Sequence, residues 1–177
     1  MTAEFTVQKR IELQTEDIPN THGLIRTLNQ KSIKQISASA SGDCYGIYIF
    51  ALSNGGGNPV PWYVGMAAKQ TLRAESLTRD KLRKYSAAMF GRQGKPSITF
   101  ISADSKKSAS KIDSLEALLI WIARSKNPSL INERKVSGRP KSIISIVNQV
   151  SVRGVINRSQ GQPSKNAQSF AGLMGLK

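Results

Sequence analysis

The stretch that most restricts this chain runs from GIYIF at 46–50 to WYVG at 62–65. Both ends are rich in β-branched and aromatic residues, and SNGGGNP between them is turn material, so the pair reads as a β-hairpin. Each strand sets a tyrosine beside a glycine: Tyr48 near Gly46, and Tyr63 near Gly65. A third strand is expected at 97–102, SITFIS. The strongest helix lies at 111–125, KIDSLEALLIWIARS, where Ile112, Leu115, Leu118, Leu119 and Ile122 recur at three and four. Ser110 with Asp113 resembles a capping box at its start, and Pro128 forbids continuation. The expected fold is mixed α+β, a small antiparallel three-stranded central sheet flanked by helices.

The remaining segments arrange themselves around that centre. Residues 4–13 alternate loosely and suit a strand. Residues 20–37 read as a helix with Leu24, Ile25, Leu28, Ile33 and Ile36 as its apolar stripe. SASASGD at 37–43 is a small-residue linker. From Ala67 to Phe90 the pattern is helical, with Leu72, Leu82, Tyr85 and Met89 inward and a break near Ser76–Thr78. Residues 142–152 look strand-like, 158–165 form a loop, and NAQSFAGLMGL suits a short terminal helix. The expected organisation is an N-terminal extension at 1–43, a central domain at 44–135, and a basic C-terminal extension at 136–177.

Charge narrows the partners. Lys and Arg number 26 against 11 Asp and Glu, a net +15, and nothing acidic follows Glu133. Polyphosphate backbones are the natural counter-charge, because neutralising each phosphate releases condensed counterions. Anionic membrane is the rival, but the sequence holds neither an apolar run long enough to span a bilayer nor a long basic amphipathic helix. Cys44 stands alone, which suits a reducing, cytoplasmic setting; its plain role is a small buried hydrophobe.

GIY, then YVG, then a basic helix, then a Glu-bearing helix followed by NPSLIN: in that order the chain resembles the GIY-YIG nuclease family over roughly residues 44–135. The resemblance implies cleavage of nucleic acid with one divalent metal, Mg²⁺ or Mn²⁺. Tyr48 and Tyr63 match the two motif tyrosines, and either would orient or deprotonate the attacking water; strand packing is the plain alternative. Arg73 matches the family's helix arginine, which would bind the scissile phosphate. Arg79 and Lys81 are competitors for that role. Where many members place His or Tyr a turn after the arginine, this chain has Leu77, and Tyr85 or Lys81 is the substitute. Glu116 matches the metal ligand, against the alternative of a first-turn carboxylate serving the helix dipole. Asn132, with Asn127 as competitor, matches the asparagine ending the NP turn; either could instead be a helix C-cap. The glycines would let a phosphate backbone approach closely. His22, the only histidine, lies outside the match and reads as a surface or helix-start residue.

The resulting expectation is a metal-dependent endonuclease hydrolysing double-stranded DNA. Tyr48, Tyr63, Arg73 and Glu116 would converge on one concave surface, and Lys69, Arg79, Lys81, Arg83, Lys84, Tyr85 and Asn132 would grip nucleic acid. The flanks would add grip or a homodimer contact. A non-catalytic or RNA-associated basic binding protein on the same scaffold is the alternative.

Overall fold

The computed structural model describes residues 2–54, 57–135, 140, 143–156 and 163–176. Its centre is a six-stranded sheet in the order β6-β5-β7-β1-β8, with β2 also paired to β7. The strands are β1 Ala3–Val7, β2 Ile11–Glu12, β5 Gly46–Ser53, β6 Val60–Ala67, β7 Lys95–Ala103 and β8 Val150–Val152. A separate ribbon pairs β3 Thr15–Asn20 with β4 Gly23–Leu28. The helices are α1 Gln30–Ser37, α2 Leu72–Ser76, α3 Arg79–Met89, α4 Lys106–Ala109, α5 Ile112–Lys126, α6 Ile143–Gln149 and α7 Lys165–Met174. The class is mixed α+β.

Strand β5 explains the layering. Seven of its eight residues are buried, and their alternation feeds two cores. Ile47, Ile49 and Ala51 pack with α5 and α7 on one face. Tyr48, Phe50 and Leu52 join Leu72, Tyr85 and Met89 on the other. A strand buried on both faces reads as a continuous apolar run rather than an alternating one, and GIYIFAL is such a run.

Three expectations are corrected. The sheet has six strands rather than three. The hairpin and 97–102 do form its antiparallel β6-β5-β7 part, but β1 and β8 extend it beyond β7. These added pairings join residues about 100 and 150 apart in sequence, so no local pattern announces them.

Residues 20–28 are strand, not helix. Gly23 at φ +124 and the Asn20 side chain, which accepts from the Thr21 N–H at 2.7 Å, turn the chain back so that Ile18 faces Ile25. The helix begins only at Gln30, where the Asn29 side chain accepts from the Ser32 N–H at 2.9 Å. Finally, 143–149 is helical, and only Val150–Val152 pairs, parallel to β1. The break between α2 and α3 falls at Leu77–Thr78, inside the predicted interval. Most of 158–165 lies outside the described residues.

Two glycines are required by close contacts within the fold. Gly46 has φ +155, and a Cβ there would overlap the Ile101 carbonyl oxygen of the neighbouring strand. Gly65 sits directly opposite Tyr48, and a Cβ at 65 would overlap the Tyr48 ring and hydroxyl. The missing side chain leaves room for the phenol over Gly65 of β6, the strand at this edge of the sheet.

Candidate active site

A cavity of about 550 Å³ opens at that edge, lined by both strand tyrosines, Lys81 and Lys84 of α3, and Asp113 and Glu116 of α5. The tyrosines belong to the core on one face of the sheet and α5 packs on the other. They meet because the cavity also takes residues of β6, the terminal strand of the sheet.

Tyr48 is fully buried, and its hydroxyl has no hydrogen-bond partner. Burial, reinforced by the neighbouring Tyr85 and Tyr63 phenols, pushes its ionisation far above the ordinary tyrosine range, so it stays protonated. A buried hydroxyl without a partner costs about 1–3 kcal/mol, and on a residue that lines a cavity it suits a ligand that accepts its proton. The Tyr63 ring stands 6.1 Å from that of Tyr48. Lys84 and Lys81 place their ammonium groups 5.4 Å and 5.8 Å from the Tyr63 ring centre. Lys81 also pairs with Asp80 at 3.0 Å and Glu75 at 3.6 Å. Burial pulls its ammonium down, but Asp80 and the Tyr63 phenol outweigh that and hold it above the ordinary lysine range. It carries its charge at neutral pH.

Glu116 is buried on α5, and its Oε2 accepts from Lys135 Nζ at 2.7 Å. The same ammonium reaches Asp113 Oδ1 at 2.6 Å and the Asp113 carbonyl at 3.2 Å. Burial lowers the Lys135 ionisation, yet its bonds to Asp113 and Glu116 prevail and keep it cationic. Asp113 therefore serves no capping box: the N-cap of α5 is Lys111, which makes no side-chain capping bond.

Six predicted site residues stand elsewhere or are otherwise engaged. Arg73 does not line the cavity. It turns back onto the 3-10 turn at Ala40–Asp43, pairing with Asp43 at 2.8 Å and packing against Gly42. Tyr85 is wholly buried, stacks on Phe50 at 4.4 Å, and donates to the Ser76 carbonyl at 3.0 Å, so it cannot grip a nucleic acid. Asn132 reaches the cavity wall, but its amide is spent on Val64 of β6, accepting from N–H at 3.0 Å and donating to the carbonyl at 2.6 Å. Asn127 donates to the Pro61 carbonyl at 2.8 Å, so both competing asparagines fasten the post-helix loop to the edge strand. Arg79 and Arg83 are exposed and face a second hollow, shared with the β3–β4 ribbon; Lys69 is exposed and lines neither hollow.

Sequence reasoning missed Asp113 and Lys135. The signal was available in principle, since a buried Glu116 demands a cationic partner; nothing local says that Lys135 supplies it. Among the described residues no group of three or more His, Cys, Asp or Glu is placed to hold a metal, and no helix is long and apolar enough to cross a membrane. No family model, curated protein or solved structure matches this chain.

Proposed function

We propose that this chain is a metal-dependent endonuclease of the GIY-YIG kind that hydrolyses phosphodiester bonds of double-stranded DNA. The observation that carries the reading is the meeting of Tyr48, Tyr63, Lys81 and Glu116 around one cavity, in a chain of net charge +15. In this reading Lys81 takes the phosphate-binding role that the motif order gives to Arg73. Lys84 adds a second cation beside the same ring. Tyr63 is the phenol that orients the attacking water, whereas Tyr48, held protonated by burial, donates to a phosphate oxygen. The water oxygen bonds to phosphorus as the P–O bond opposite it breaks.

The donor set fits Mg²⁺ or Mn²⁺. The Asp113 and Glu116 carboxylates and the Asp113 carbonyl are hard oxygens that already surround one cation, the Lys135 ammonium. Bound there, a divalent ion would polarise the phosphoryl group and stabilise the departing oxygen. The test is incubation with supercoiled plasmid: nicked and linear products are expected with Mg²⁺ or Mn²⁺ and none with EDTA.

The assignment of Lys81 over Arg73 has its own test. Lys81→Met is expected to slow cleavage by about a hundredfold, the usual effect of losing one transition-state donor. Arg73→Met should leave it within about threefold, because a half-exposed ion pair contributes little to the fold. The reverse ranking in a cleavage time course would return the role to Arg73.

A second reading, a non-catalytic or RNA-associated basic binding protein, is favoured by Arg73 being held on Asp43 and by the lysine on Glu116. Intact plasmid at every metal concentration, together with retained duplex or RNA binding, would select it.

A further inference from the structure

Lys135 has an unusual address. It is the only non-glycine residue with positive φ among the described residues, at φ +60. Left-handed backbone costs an ordinary side chain roughly 1–2 kcal/mol. The conformation aims its ammonium back under α5, where one nitrogen makes three contacts: two to Asp113 and one to Glu116. The Glu116 side chain is 12% exposed. A carboxylate that enclosed is costly to leave unpaired, and the Lys135 ammonium is the partner it has. Tyr48, fully buried and with its hydroxyl unpartnered, is one of the residues that line the same cavity, an independent sign that a ligand belongs there.

We infer that Lys135 is a tethered cation that competes with a divalent metal ion for the Asp113–Glu116 carboxylates, so that metal binding requires its ammonium to swing out. This rests on the nuclease reading only for the identity of the metal. The competition itself follows from the contacts, because an ammonium and a metal ion cannot share the same oxygens at these distances.

The experiment is calorimetric titration of Mn²⁺ into the full chain without DNA. Wild type is compared with Lys135→Met, Lys135→Arg and the double variant Lys135→Met with Glu116→Gln. Lys135→Met should bind Mn²⁺ about tenfold more tightly, a typical size for the coupling of two sites. Lys135→Arg, which keeps the charge, should stay near wild type, and the double variant should lose the gain. If Lys135→Met fails to fold, Lys135→Gly provides the same test, because glycine tolerates φ +60 without strain. Equal affinity in wild type and the uncharged variants overturns the inference, as does the absence of binding in all of them. Tighter Mn²⁺ binding with no plasmid cleavage by any variant upholds the competition and removes the nuclease reading. Cleavage with unchanged affinity does the opposite.

Discussion

Replacing Glu116 with glutamine should reduce metal-assisted DNA cleavage by about a thousandfold, equivalent to about 4 kcal/mol of lost transition-state stabilisation. The substitution is nearly isosteric and suits a helix about as well as glutamate does. It removes the charge that both a divalent cation and the Lys135 ammonium need. Duplex binding measured in EDTA should change little or tighten slightly, since on the nuclease reading one negative charge leaves the cavity that would receive phosphate. Circular dichroism should report an unchanged fold. Wild-type cleavage by the variant would make Glu116 a structural partner of Lys135 and nothing more.

The second large effect concerns the scaffold. Gly46→Ala should destabilise the chain by about 3 kcal/mol or more, in the tail of single-substitution effects. Two causes add at this position. The backbone sits at φ +155, and a methyl group would overlap the Ile101 carbonyl of β7, whose own position is held by pairing on both sides. Backbone of a central strand cannot yield as the end of a flexible side chain can. Urea denaturation gives the number directly. A loss below about 1 kcal/mol, the centre of the range for ordinary substitutions, would mean that the close strand approach at Gly46 relaxes easily.

How much of this was legible beforehand depended on range. Strands β5, β6 and β7, helix α5 and the break before α3 came from periodicity and punctuation within some fifteen residues. The β3–β4 ribbon did not, because the spacing of Leu24, Ile25 and Leu28 fits a helical stripe as well as a strand pair. What decides is the turn at Asn20–Gly23. Residues 143–149 misled for the related reason that a short Ile- and Val-rich run has no single period.

In the site, motif order brought Tyr48, Tyr63, Glu116 and Lys81 into consideration. It could not show that Arg73 is drawn onto Asp43, since that ion pair joins two segments the sequence separates by the whole hairpin. For Tyr85 the helical pattern, which puts it inward, and the motif order, which makes it a grip, point apart, and its burial and bond to Ser76 uphold the first. Lys135 was invisible because a lysine in a loop acquires meaning only from the carboxylates beneath it.

The asparagine fastening on β6 has a bearing on assembly. An open sheet edge is a template for another strand, and proteins commonly guard it. Here the Asn132 amide and the Ile131 N–H take up backbone groups of Val64 and Trp62, as a further strand would. At the other end of the strand order, β8 offers only three residues. Among the described residues neither end presents a long free row of donors and acceptors, which disfavours two copies continuing one sheet into the next. A homodimer built from the described residues would meet through helices or through the β3–β4 ribbon, leaving the cavity beside β6 uncovered.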